Sequence, residues 1–314
     1  MKLLWLVAIA CACAAATPAA ADQTGIAYDQ ISILYFGGTA TAPPPGPFAA
    51  LRDGLQPASS TSTGFPPAGG QTVPSLDGIG QLAHGLLYHE SFLGTRSRVD
   101  DPATMRATIS RPDENEVIYL DLTAKTYRTV SGDAARALLH PTPANVLFAR
   151  PTPAPSASAD QDSETIVSTR TAASVDGVTI DGVATHGVKM ISTSTATAVT
   201  GICPAIATTT TILKYVDPSR DEPVAHYDFS DAEKMLKSIP AMTCRFILAP
   251  SATPAPLPDE HKFALYTRAD TQTTVPGLAT SFTTTMLITR GNLKTLGPAD
   301  AGLFEVPSGF TAAP

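Results

Sequence analysis

The chain has 314 residues, 28 of them proline, and only 16% carry a charge. With 21 Lys+Arg against 28 Asp+Glu the formal net charge is -7, which excludes a general nucleic-acid binder, because such a protein shows a basic stripe or patch. A hydrophobic content of 43% supplies a core and excludes a long charged disordered chain.

The first residues predict an export signal over 1–21. Lys2 gives the positive start, residues 3–10 a short apolar run, and Ala19, Ala20 and Ala21 a small-residue cleavage site before Asp22. The expected location is therefore the periplasm or the extracellular space. Cys11, after Ala8, Ile9 and Ala10, loosely resembles a lipidation box, so a lipoprotein stays open as the alternative. No later segment reaches the roughly 20 apolar residues that a spanning helix needs, and no transmembrane segment is expected after signal cleavage. Of the four cysteines, Cys203 and Cys244 lie beyond the signal. In an oxidising compartment they are expected to form one disulfide.

Two stretches, about 37–80 and 141–162, are rich in Pro, Gly, Ser and Ala and lack apolar periodicity. They read as flexible tracts within a single β-rich domain over 22–314. Elsewhere the pattern is that of strands. Residues 30–36 place Ile31, Ile33 and Tyr35 on one face. Residues 116–122 and 125–130 read as a hairpin. Asp176-Gly177 and Asp181-Gly182 supply the positive φ of tight hairpin turns. Residues 186–200 and 205–216 are long and rich in Thr, of which the chain has 41; this β-branched residue suits a pleated, wet surface. Over 279–290, Phe282, Met286 and Ile288 alternate with Ser281, Thr283, Thr285 and Thr289, which predicts the first set inward and the second outward. Helices are few. Ser230 to Glu233 forms a capping box opening a helix that Pro240 stops, and residues 133–139 suit another. The expected fold is mainly β: a curved antiparallel sheet or half-barrel with one or two short helices.

Catalytic signatures are missing. His84 and His89 stand five apart beside Gly85, which is not metal-ligand spacing on a helix. The chain has no Gly-x-Ser-x-Gly elbow, no Ser-x-x-Lys set and no Gly-rich loop opening a helix. Paired carboxylates such as Asp100-Asp101 and Asp221-Glu222 sit at turns. No cofactor and no metal are expected, and no catalytic residue is assigned. A triad assembled from distant residues would leave no motif, so an envelope hydrolase stays open as an alternative, as does a structural or adhesive envelope protein. Thr193, Thr195 and Thr197, with Thr208 to Thr211, form hydroxyl ladders that read as soluble strand faces.

Residues 117–129 (VIYLDLTAKTYRT) and 299–310 (ADAGLFEVPSGF) resemble segments of exported bacterial β-proteins similar to the LolA/LppX-type lipoprotein-carrier half-barrel. The resemblance covers about a quarter of the chain. It implies a curved antiparallel sheet whose concave face, covered by short helices, holds an acyl chain or lipidated partner, and it brings no catalytic residues. The expectation is thus an exported, non-enzymatic binder of a lipid or other hydrophobic ligand. The inward residues expected to line the site are Ile118, Leu120, Val188, Met190, Phe282, Met286 and Ile288.

Overall fold

The computed structural model describes residues 24–36, 42–55, 83–139, 163–197, 199–201, 203, 205, 207–223, 245–248, 259, 261–274 and 281–313. The stretch expected to be an export signal with Cys11, the helix expected after Ser230, Cys244 and the tract 141–162 all lie outside these residues.

Two antiparallel meanders meet along one seam. The first comprises β1 (Gly25–Phe36), β2 (Leu86–Leu93), β3 (Arg96–Asp101), β4 (Arg106–Arg111), β5 (Glu116–Asp121) and β6 (Thr126–Ser131). The second runs through β7 (Ser163–Val175), a small hairpin of β8 (Thr179–Ile180) and β9 (Val183–Ala184), β10 (His186–Thr197), β11 (Ala207–Asp221), β12 (Arg245–Leu248), β13 (Lys262–Thr274) and β14 (Ser281–Leu296). A last strand, β15 (Thr311–Ala312), returns to the far edge beside β6. The spatial order is β12-β7-β10-β11-β13-β14-β1-β2-β3-β4-β5-β6-β15, an open sheet of 13 strands among the described residues. Every pairing is antiparallel except the two outermost, β12 with β7 and β15 with β6. The mainly β, largely antiparallel architecture with few short helices is the one expected.

Local chemistry explains the turns. The strands read as 116–122 and 125–130 pair with Val117 opposite Val130. Their loop is closed by the Asp121 carboxylate, which accepts the Thr123 and Ala124 amides at 3.0 and 2.7 Å, while Lys125 takes a φ of 52°. Asp101 repeats the device between β3 and β4, accepting the Ala103 and Thr104 amides at 3.0 and 3.3 Å ahead of Met105 at φ 54°. A short acceptor side chain thereby satisfies turn amides that no strand reaches. Asp181-Gly182, with φ of 47° and 81°, makes the β8–β9 turn. Asp176-Gly177 does not: a Cβ on Gly177 would lie 1.7 Å from the Thr185 carbonyl oxygen. That glycine permits a close backbone crossing instead of a hairpin turn.

Helix α1 (Phe48–Asp53) falls inside the stretch expected to be a flexible tract. The surrounding Pro and Gly hid a short run, FAALRD, whose phenylalanine is almost fully buried. Helix α2 (Gly132–Leu139) matches the second expected helix within one residue and packs Ala135 and Leu139 over Val117.

Strand register separates the two faces. Ile31, Ile33, Thr285, Leu287, Thr289 and Tyr266 share one of them. On it, α1 covers β1 and β14, and the 3-10 helix Pro298–Phe304 covers β3 and β4. Carried through the pairings of β1 to β5, the same face includes Leu93, Ile109, Ile118 and Leu120. Phe304 is buried against this second cluster, which explains the Leu-Phe-Glu-Val-Pro ending in packing terms. The adjoining Glu305 accepts from Arg96 at 2.9 Å. Helix α2 lies on the opposite face.

The alternation expected for β14 leaves Ser281 exposed as expected but is inverted over residues 285–289. Thr285, Leu287 and Thr289 are buried, while Met286 and Ile288 are half-buried. Hydropathy placed the threonines outward. In the sheet they flank Leu287 beneath covering chain, and the Thr285 hydroxyl donates to Asp270 at 2.6 Å.

Candidate functional site

Among the described residues a concavity lies between the sheet and α1. Ile33 and Tyr35 of β1 form its floor, Ala50, Leu51, Gly54 and Leu55 one wall, and Ala83 and His84 its rim, around about 350 Å³. Its position follows from three local facts. The Phe48 amide donates to the Asp181 carboxylate at 3.2 Å, tying the start of α1 to the β8–β9 turn. The Tyr266 hydroxyl donates to the Pro43 carbonyl at 2.9 Å, pinning the approach to α1. Gly291 gives Phe48 its seat, since a Cβ there would lie 2.4 Å from the ring. Gly85, at φ 89°, closes the back, and its missing Cβ would stand 2.5 Å from Leu55 Cδ2. Burial raises the Tyr35 hydroxyl above the ordinary tyrosine value, keeping it neutral at the cleft. An apolar body with a phenol and an imidazole at its edges is the usual make-up of a small-molecule site, and the volume is at the low end of that class.

A polar network occupies the opposite face. Tyr28 donates to Glu90 Oε2 at 2.9 Å, and Glu90 is 1% exposed. Arg290 donates to Gln30 at 2.8 Å, to Glu222 at 2.6 Å and to the Ala264 carbonyl at 3.3 Å. Its guanidinium also stands 5.1 Å from the Tyr28 ring centroid and 5.0 Å from that of Phe263. Burial opposes this charge, yet Tyr28, Glu222 and Glu90 outweigh it and hold the Arg290 pKa above its ordinary value. Burial, with Asp101 and Glu90 adding to it, pushes the nearby Tyr88 hydroxyl up to about 12. The network pairs its charges internally, which makes it a clamp across β1, β2, β13 and β14.

His89 Nδ1 lies against Asp29 Oδ1, and Asn292 donates to the other Asp29 oxygen at 2.6 Å. This is an orienting pair of the kind that general bases use. Among the described residues no serine, threonine or cysteine hydrogen-bonds His89, so no triad is assembled among them. No cluster of three or more His, Cys, Asp or Glu suited to a metal ion occurs among the described residues.

The seven residues expected to line one site do not converge. Ile118 and Leu120 are core beneath Phe304. Val188, Met190, Met286 and Ile288 lie on the other face. There, register aligns Met190, Ile212, Ala269, Met286 and Leu34 in one apolar row across five strands. Phe282 belongs to β14, but its side chain lies outside the described residues. Alternation fixes sides within a strand; it does not say which side of one strand matches which side of another. The cleft under α1 was missed because its wall sits in the Pro-rich tract, and the apolar Phe48, Leu51 and Leu55 were the available signal. Compared with known proteins, the chain matches no family model, no curated protein and no solved structure.

Proposed function

We propose that this is an exported, non-enzymatic β-sheet protein that binds a hydrophobic ligand, an acyl chain or lipidated partner, in the cleft between β1 and α1. The observation that carries the reading is the roughly 350 Å³ hollow walled by Ile33, Ala50, Leu51, Leu55 and Ala83. Apolar surface of this kind favours a water-poor occupant. The likeness of residues 117–129 and 299–310 to lipoprotein-carrier half-barrels supports the same reading. Export is supported by the first 21 residues, and the second proposal that goes with it is a Cys203–Cys244 bridge.

Native mass spectrometry of the chain purified from its producing cells tests the function. The expected result is a co-purified lipid mass that is lost when Ala83→Trp fills the mouth of the cleft from its exposed rim. A ligand-free mass together with no binding of an apolar fluorescent dye would count decisively against it. The Asp29–His89 pair favours one competing reading, an ester hydrolase. Turnover of short acyl esters abolished by His89→Ala would replace the carrier reading.

A further inference from the structure

The cleft under α1 combines two chemistries that narrow what it can hold. Ile33, Ala50, Leu51 and Leu55 make its body apolar, and Tyr35 and His84 are the polar side chains of its described lining. Among these described residues none is acidic and none is a Lys or Arg. The protonated phenol of Tyr35 can donate, and a neutral imidazole donates through one ring nitrogen in either tautomer. Charged neighbours on the surrounding elements are already paired. On β13, Arg268 reaches Asp270 at 2.9 Å, and the Thr285 hydroxyl donates to the same carboxylate. Tyr35 lies opposite Thr285 in the register. On α1, Arg52 reaches Asp53 at 3.0 Å. The margin of the cleft therefore offers donors to an incoming group without an opposing net charge.

Size sets the second limit. Counting about 30 Å³ per non-hydrogen atom, a water molecule's share of its liquid, a hollow of about 350 Å³ takes roughly twelve such atoms. A lipid with two or three long chains exceeds it severalfold, whereas one short chain with its headgroup fills it. Building on the carrier reading, we propose that the ligand is a single unbranched carboxylic acid of about ten carbons, its chain against Ile33 and Leu51 and its carboxylate accepting from Tyr35 and His84. A carboxylate accepts from both donors at once, and charge-assisted bonds of this kind are the strong ones. An ester gives up the charge, and an amine brings donors to a margin that already supplies them.

Isothermal titration of the full chain, freed of co-purified lipid, with straight-chain acids below their micelle thresholds tests this. From hexanoate to decanoate the affinity should rise about fourfold per methylene, and past dodecanoate it should stop rising. Tyr35→Phe and His84→Ala should each weaken decanoate about tenfold while leaving methyl decanoate unchanged, a difference that lost shape or lost folding would not produce. Ala83→Trp should abolish the binding of both. An affinity that climbs on through hexadecanoate would overturn the proposal. So would methyl decanoate or decylammonium binding as tightly as decanoate, or decanoate binding indifferent to Ala83→Trp. Tight binding of a longer chain or an ester in the cleft would leave the carrier reading standing, whereas failure of every chain to bind would remove both.

Discussion

Tyr28 and Glu90 stand directly opposite one another on β1 and β2, and the phenol donates to the carboxylate at 2.9 Å. A glutamate that is 1% exposed is tolerated because this donor and the Arg290 charge lie beside it. Tyr28→Phe removes a hydrogen bond to a charged acceptor and should cost about 1.5–3 kcal/mol. Glu90→Ala breaks the buried set and should cost about 3–5 kcal/mol. Urea unfolding checks both. Wild-type midpoints for either variant would mean that the pair adds no net stability to the folded state.

Gly291 should tolerate no side chain. Ala at this position drives its Cβ into Phe48, and overpacking of this kind costs roughly 1–3 kcal/mol. The displacement lifts α1, so Gly291→Ala should also weaken dye binding in the cleft, whereas Gly302→Ala, which meets nothing within 4 Å, should leave it unchanged. Equal dye affinity in both would uncouple Phe48 from the cleft.

Thr289 has a buried hydroxyl without a hydrogen-bond partner among the described residues. Replacing it by the isosteric valine removes an unsatisfied group and keeps the shape. Thr289→Val should raise stability by about 1 kcal/mol, read as a higher urea midpoint at unchanged m-value.

The tyrosines predict the alkaline behaviour. Burial holds Tyr88 neutral to about pH 12 in the folded chain, against an ordinary value of 10.0. A raised phenol pKa means that folding favours the protonated form. Its contribution is complete below pH 10 and is lost as pH rises from there through about 12. Absorbance of tyrosinate should show a late phase in that window that is absent from Tyr88→Phe, with unfolding setting in over the same range.

If the proposed bridge forms, thiol labelling of the unfolded, unreduced protein should find neither Cys203 nor Cys244 free. The closed loop of about 40 residues is worth roughly 3–4 kcal/mol in the chain-entropy account, so reduction should lower the melting temperature. Two labelled thiols would refute the bridge.

Much of the sheet was legible because strands announce themselves by alternation and turns by Asp and Gly. The β5–β6 hairpin, the Asp181-Gly182 turn and α2 fall where the residues place them. The β2–β4 run was not read: Arg98 pairs with Asp100 along β3, Asp101 accepts turn amides and Arg96 reaches Asp113 and Glu305, and their charge masks the pattern. Strand β11 continues through Pro218 because the β13 pairing breaks register between Asp217 and Asp221, a tolerance that local rules do not foresee. The cleft was hidden for a different reason. It needs Phe48 on Gly291 and Leu55 beside Gly85, contacts between residues far apart in sequence, which no pattern within one segment encodes.

The seam between the two meanders carries a kinetic consequence. Strand β1 pairs with β2 on one side but finds its other partner only in β14, joining Gly25 to Leu296, while each meander is zipped mainly by neighbours in sequence. Ladders of such long range close slowly. A chain made from its N-terminus onward can thus assemble each wing early, but its middle stays unbuttoned until β14 has been added. In that interval the raw margins of β1 and β14 are what a chaperone would have to shield.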